Sequence, residues 1–417
     1  MMNVLIISNN CFSESGAGGR TLSQLFDESL DYSLFQFFIS QETPEANTHL
    51  KSFFRFTDSD ALHSILKSTV QKEGANLELQ STKKPKKTLF MYFIRTIVWK
   101  MSHWKKSGLV KWAKEIKPDL IFFANTDSLF LYDIAMYLQK IIKCPIITYN
   151  TERYVLNKKC YIYQSRFSKC LYPIWHLMMK GKYRKFMELS SFDIYNSEKL
   201  RDLMVAKYPN NNAVIYSSTS ISIKEASDSV FGIPTFLYAG NLGLNRYKSL
   251  ILFADYLQGI DKKLTLDVYG KANDVHIIEL LKKVKGINYK GFLDYQSLVQ
   301  LYPKYSFLLH AESFEKNIYS TIDCGFSTKI PDCLASGTCL IAFAPKEFCF
   351  MEYLSNNKCA FIINSPNQLY LLNQLLKNSS LKKTIIESAQ TICKENHQRK
   401  KVAELVYNIM YSVLRKG

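Results

Sequence analysis

The sequence predicts an α/β protein built from two doubly wound domains. Short apolar runs alternate with amphipathic helical patterns along most of the chain, the rhythm of βαβ units and parallel sheets. The length of 417 residues suits two or three domains. A hydrophobic content of 47% is ordinary for a globular protein and supplies sizeable cores.

The elements follow in order. The first strand is expected at 3–8, Asn3-Val4-Leu5-Ile6-Ile7-Ser8, and further strand-like runs lie at 34–39, 119–124, 145–149, 192–196 and 213–217. The stretch 211–232 is polar, Ser-rich and aperiodic, so a linker is set at 216–232 after a first domain of 1–215. The second domain, 233–396, carries runs at 235–239, 264–269, 287–290, 306–310, 339–342 and 360–363. A last helix in 397–417 places Val402, Leu405, Val406, Ile409, Met410 and Val413 on one face. No internal repeat of solenoid length is visible.

The formal net charge of +18 favours anionic partners: a membrane surface, nucleic acid or phosphorylated substrates. Nucleic acid is set aside, because no helix-turn-helix or other reader motif accompanies the charge. The ten cysteines, Cys144, Cys339 and Cys359 among them, are scattered in apolar contexts without CxxC pairs. They read as reduced, buried thiols of a cytosolic protein, not as structural zinc ligands. The N-terminal apolar run is too short for a signal peptide and lacks a basic leader. The longest candidate for a membrane span, 89–99, is broken by Arg95.

The most informative stretch is 323–337, DCGFSTKIPDCLASG, which follows the run 306–310. It reads as a Gly-containing loop opening a helix, with Ser327 as N-cap, Pro331 in the first turn and Asp332 near the positive end. Free N–H groups at such an end form an anion site. In the second half of an α/β chain this suggests a nucleotide diphosphate.

Three Gly turns add to it. The loop after the first strand carries Gly16, Gly18 and Gly19 before Arg20. Gly16-x-Gly18-Gly19 is neither the dinucleotide fingerprint nor a P-loop; it is a surface loop or a loop facing a cleft. The second domain opens with Gly240-Asn241-Leu242-Gly243, then Arg246 and Lys248. Two cations beside a Gly turn suit a diphosphate, the alternative being a solvated basic helix start. Tyr269-Gly270-Lys271 ends the next run with a further cation.

Gly240–Arg246, Tyr269-Gly270-Lys271, Tyr289-Lys290-Gly291-Phe292-Leu293 and 323–337 fall in an order that resembles retaining GT-B glycosyltransferases of family four. The resemblance covers roughly 235–364 well and the first half more loosely. It implies two Rossmann-like doubly wound domains facing an interdomain cleft, a nucleotide-sugar donor on the second and an acceptor on the first. It also implies a last helix that crosses back to the first domain. The subgroup it looks most like builds bacterial capsule, exopolysaccharide or lipopolysaccharide chains.

The family's hallmark is two glutamates around a Gly-Phe-Gly-like loop. Asp332 takes the second acidic position here, where the resemblance implies hydrogen bonds to the ribose hydroxyls; a carboxylate suits a vicinal diol. Cys324 takes the first, which in the family faces the donor sugar. Asp323, Glu312 and Glu315 are neighbouring carboxylates that could stand in. Phe326, Ser327, Thr328 and Lys329 complete the loop, with Gly240, Asn241 and Lys248 on the donor side. Retaining transfer needs the leaving diphosphate stabilised by cations and N–H dipoles, so Arg246, Lys248, Lys271 and Lys329, with the Ser327 and Thr328 N–H groups, are the candidates. No Asp-x-Asp motif occurs beside them in the second domain, and neither a metal nor a cofactor beyond the donor is expected. Glu152, in Tyr149-Asn150-Thr151-Glu152-Arg153, is the candidate acceptor contact or base, or else a cap or ion-pair residue. His310 reads as structural.

Two acid-free regions mix cations with apolar residues. The first, 83–114, sets Lys83, Lys84, Lys86, Lys87, Arg95, Lys100, Lys105 and Lys106 around a helical stripe of Phe90, Ile94, Ile97, Met101 and Trp104. The second, 153–186, mixes Lys158, Lys159, Arg166, Lys169, Lys180, Lys182, Arg184 and Lys185 with Tyr161, Tyr163, Phe167, Tyr172, Trp175 and Met179. Such mixtures suit an anionic membrane surface; alternatively the stripes pack into the first domain and the lysines are solvated.

The expected function is therefore sugar transfer with retention, independent of metal, from a nucleoside diphosphate sugar. The acceptor is a lipid-linked or growing surface glycan, and the protein is cytoplasmic or peripheral on the inner membrane face. A sugar-nucleotide 2-epimerase of the same fold and a non-catalytic glycan- or nucleotide-binding homologue are the rivals.

Overall fold

A computed structural model describes residues 1–13, 17–45, 49–66, 88–161, 166–224 and 233–416. Gly16, Lys83, Lys84, Lys86, Lys87 and Tyr163 lie outside the described residues, as do the side chains of Arg166, Phe167 and Lys169. The chain divides into two compact units, Met1–Ile215 with Ala403–Gly417, and Tyr216–Val402.

The first unit holds seven parallel strands. They are β1 (Met2–Ser8), β2 (Tyr32–Phe38), β3 (Leu50–Arg55), β4 (Leu120–Ala124), β5 (Ile146–Asn150), β6 (Ser190–Tyr195) and β7 (Asn212–Val214), in the order β3-β2-β1-β4-β5-β6-β7. Val4, Leu5, Ile6 and Ile7 of the central strand are all fully buried, as expected where helices cover both faces of a parallel sheet. β3 is absent from the runs read off the sequence. It is an edge strand with half-exposed residues, so it lacks the continuous apolar run that marks the inner strands.

The second unit repeats the plan with six parallel strands. They are β8 (Phe236–Ala239), β9 (Leu266–Tyr269), β10 (Ile287–Gly291), β11 (Phe307–Ala311), β12 (Cys339–Phe343) and β13 (Phe361–Ile363), in the order β10-β9-β8-β11-β12-β13. Two apolar clusters cover its faces, one around Phe253, Leu309 and Ile341, the other around Leu308, Ile330 and Leu354.

Both chain crossings are built into structure. Ser217, Ser218 and Thr219, at the start of the segment read as a linker, are buried in the second unit. Thr219 N–H donates to His397 O at 2.8 Å and Arg399 N–H to Thr219 O at 3.1 Å, a parallel bridge. The helix Arg399–Lys416 then buries Val402, Ala403, Val406, Met410 and Val413. Leu405, read as part of that face, is exposed, and Ala403 is buried instead, three residues before Val406 and seven before Met410, the spacing that keeps side chains on one helix face. Among the described residues no helix is long and apolar enough to cross a membrane. No disulfide joins any of the ten cysteines, and only Cys160 and Cys170 are not buried.

Candidate functional site

In doubly wound sheets, ligands bind outside the carboxyl ends of the strands where strand order reverses. In the second unit that point lies between β8 and β11. The chain leaves β8 through Gly240 and Asn241, whose Oδ1 accepts the Gly243 N–H at 2.6 Å. Leu244 and Asn245 follow with φ of 54° and 58°, left-handed values that cost a leucine strain and tend to collect at functional sites. The turn delivers Arg246 as the first residue of the helix Arg246–Ile260.

Glu312 leaves β11 on the other side of the switch point. Arg246 Nε donates to Glu312 Oε2 at 2.6 Å, and both side chains are nearly enclosed. Burial works against the Arg246 charge, but Glu312 outweighs it and the guanidinium pKa moves up. Lys248 is paired with Glu315, which also accepts from Asn245 Nδ2 at 2.6 Å. Lys248 is thus largely neutralised by its own carboxylate.

Lys329 reaches the same place from the 323–337 loop. Its side chain is half-buried, and the ammonium donates to the Ala239 carbonyl at 3.1 Å and lies 5.3 Å from the Tyr238 ring. A Cβ on Gly240 would collide with Lys329 Nζ, so glycine is what admits the amine. Burial first, and the Arg246 charge second, push its pKa down to about 8. Among the described residues it forms no ion pair. His310 sits at the end of β11, fully buried against Phe350. Burial, with Lys329 and Arg246 nearby, holds its pKa well below the usual range, so the ring is neutral.

The β9 exit packs against the β8 exit. Leu242 N–H donates to Lys271 O at 3.0 Å, and Gly270 N–H to Gly291 O at 2.7 Å. A Cβ on Gly270 would strike the Gly240 carbonyl. Lys271 itself is exposed, its ammonium 3.4 Å from the Phe292 ring centre.

The 323–337 loop differs in detail from its sequence reading. Its helix is short, Lys329–Ala335, and Thr328 is the flanking residue. Ser327 Oγ accepts from Lys329 N–H at a long 3.4 Å. Asp323 and Cys324 are buried. The Phe326 ring stacks on His397 at 5.7 Å, beside Tyr216 and Tyr353. Asp332 is fully buried, and its Oδ1 accepts from Thr219 Oγ1 at 2.6 Å and Tyr295 OH at 3.1 Å. It ties the loop helix to the buried crossing segment.

In the first unit, strand order reverses between β1 and β4. Gly18, Gly19 and Arg20 lie in the helix Ala17–Ser23 that follows β1. Gly19 packs against the Cys11 carbonyl with no space for a side chain, and Arg20 is buried. Asn9 hydrogen-bonds Thr126 across the switch point. Asp127, next along, accepts from Tyr92 OH at 3.0 Å, with Tyr161 OH at 3.5 Å. Glu152 lies just beyond β5, half-buried.

The structure therefore gathers Gly240, Arg246, Glu312 and Lys329 at one switch point, with Asn241 and Lys271 on the loops around it and Lys248 in the first turn of the helix that Arg246 opens. It draws Phe326 and Asp332 toward the crossing segment. Asp127 was missed; its position three residues beyond the apolar run of β4 was the available signal. The Arg246–Glu312 pairing was also missed, because it depends on β8 lying beside β11.

No family model matches the chain, and no curated protein matches it. Solved structures do. Anabaena HepE in complex with UDP-glucose is 14% identical, with a TM-score of 0.63 over 99% of this chain and 100% of that one. A Staphylococcus aureus TarM mutant in complex with fondaparinux, alpha-GlcNAc-glycerol and UDP is 9% identical, with a TM-score of 0.64 over 98% and 100%. The pneumococcal O-GlcNAc transferase GtfA in complex with UDP and GlcNAc is 12% identical, with a TM-score of 0.60 over 99% of each chain. The chain has the GT-B fold. Each of its two Rossmann-like units carries one switch point, and the cation cluster belongs to the second.

Proposed function

We propose that the chain is a retaining glycosyltransferase that moves a sugar from a nucleoside diphosphate sugar to a lipid-linked or growing surface glycan. The observation that carries this is Lys329: a half-buried ammonium beside Arg246 at the β8/β11 switch point, which meets the Ala239 carbonyl and the Tyr238 ring and, among the described residues, no carboxylate in an ion pair. A desolvated cation of this kind is prepared for an anion, and a diphosphate would restore its lost stabilisation. The UDP in the HepE, TarM and GtfA structures makes UDP the natural first probe.

In this reading Arg246 and Lys329 take the diphosphate, and Lys271 approaches from its exposed loop. Fixed cations stabilise charge developing on the leaving group without reorganising, so no metal is needed for that step. Cys324 is enclosed, and Glu312 is the carboxylate placed at the crevice, against the donor sugar. The acceptor belongs to the first unit, where Asp127 and Glu152 at strand ends are the groups able to accept a hydroxyl proton. Retention, polysaccharide biosynthesis and the glycan acceptor rest on the family resemblance.

The enclosure of both Cys324 and Asp332 favours one rival, a homologue that binds a nucleotide sugar without turnover. Incubation with UDP-sugars and a glycolipid extract separates the readings. UDP release that requires the extract supports transfer. Release or isomerisation without any acceptor supports the epimerase, and binding without turnover supports the non-catalytic homologue.

A further inference from the structure

The helix Leu89–Met101 is oriented against the usual pattern. Its inner side holds the polar contacts. Arg95 Nε pairs with Asp58 at 2.7 Å and Arg95 Nη1 reaches Ser128 at 3.0 Å, while Trp99 Nε1 donates to Asp58 at 2.7 Å. Its outer side is apolar. Phe90, Ile94, Ile97 and Met101, spaced by four, three and four, are all exposed, Phe90 to 61%. A surface helix ordinarily turns its apolar stripe to the core.

The neighbouring helix Arg166–Met187 buries one apolar face and exposes a second. Trp175 packs beneath the first helix, 5.6 Å from Tyr92 and 5.3 Å from Phe93. Tyr172, Trp175 and Met179, which the sequence left either at a membrane surface or packed into the first domain, are buried, as is Trp104. The exposed residues are instead Ile174, Leu177 and Met178, Leu177 to 72%. Toward its end the same outer face turns basic at Arg184 and Lys185. Lys100, Lys105 and Lys106 are exposed at the end of the first helix. No acidic residue occurs in 88–114 or 153–187.

Contiguous exposed apolar surface marks an interaction site. An apolar face on two segments that carry cations and no acidic residue of their own fits an interface whose depth is apolar and whose surface is anionic. We propose that these two helices seat the first unit on an anionic phospholipid bilayer. The apolar side chains enter the acyl boundary, and the cations meet the headgroups. The proposal rests on this face alone and not on the donor-site reading, although such a surface would present a lipid-linked acceptor.

The test is co-sedimentation of the full chain with phosphatidylcholine vesicles and with vesicles containing phosphatidylglycerol. Binding is expected only to the anionic vesicles and to weaken with salt. Replacing the exposed Phe90, Ile94, Leu177 and Met178 by serine lowers partitioning roughly tenfold or more. Lys100→Ser with Lys106→Ser and Lys185→Ser lowers it at low salt. UDP affinity, measured on the same preparations, reports separately on the donor reading, and an unchanged circular dichroism spectrum shows that the variants fold. Binding to neither vesicle overturns the proposal, as does binding unchanged by the serine variants. A wild-type dimer that the serine variants dissolve overturns it too, since the face would then meet a second copy.

Discussion

Arg246 Nε and Glu312 Oε2 stand 2.6 Å apart, joining the segments that leave β8 and β11 across the switch point of the second sheet. The pair fixes the guanidinium at the crevice while keeping it charged. Removing one member of a buried pair leaves the other uncompensated, a loss of about 3 kcal/mol. Glu312→Ala should therefore lower the denaturant midpoint with little change in slope. Adding Arg246→Ala should cost less than the sum of the two single losses. Strict additivity would mean that the two do not interact.

Lys329 predicts a pH dependence. Its folded pKa, about 8, lies below its ordinary 10.5. The unfolded chain therefore holds more protons between these values, and this residue's contribution makes stability rise with pH across that window. Below about pH 8 the buried charge is a full cost. Lys329→Met removes it, so the variant gains stability over the parent at neutral pH and loses that advantage toward pH 10.5. Diphosphate binding behaves oppositely. Above about pH 8 the free protein must take up a proton to bind, and affinity falls by about tenfold per pH unit. Thermal unfolding and UDP titrations at several pH values check both signs, and a Lys329→Met variant with the parent's slopes would refute them.

The two glycines at the strand exits should fail differently. Gly270→Ala drives a methyl into the Gly240 carbonyl, where only backbone movement gives relief. Gly240→Ala meets the end of the Lys329 side chain, which can swing away. The first should lower the melting temperature more, by an overpacking cost of about 2 kcal/mol. The second should lower UDP affinity more. Scanning calorimetry and titration of both variants give the comparison, and the reverse ranking would contradict the placement of Lys329.

Asp332 should behave as a strut. Asp332→Ala strands the Thr219 and Tyr295 hydroxyls and should cost about 2 kcal/mol. UDP and its 2′-deoxy analogue should bind Asp332→Asn in the same ratio as the parent. A lost preference for ribose with unchanged stability would return Asp332 to the ribose hydroxyls.

The inner strands were legible because a parallel sheet covered on both faces demands continuous apolar runs, as in β1, β11 and β12. The edge strand β3 has one side uncovered and reads as loop. Helical periodicity located the stripe of Phe90, Ile94, Ile97 and Met101 but not the side of the helix that is covered. That depended on Arg95 and Trp99 finding Asp58, some forty residues earlier in the chain. In the same way the Gly turn before Arg246 was readable as local chemistry. Its partner Glu312, 66 residues on, was named only as a neighbour of the sugar, because adjacency of β8 and β11 is a property of sheet order.

Equilibrium binding of a nucleoside diphosphate panel to the parent and to Arg246→Ala tests the central claim most directly. One member, UDP first among them, should bind saturably with one site per chain, and Arg246→Ala should weaken it by about tenfold or more. No binding by any member, or an affinity that Arg246→Ala leaves unchanged, would contradict a donor site at the β8/β11 switch point.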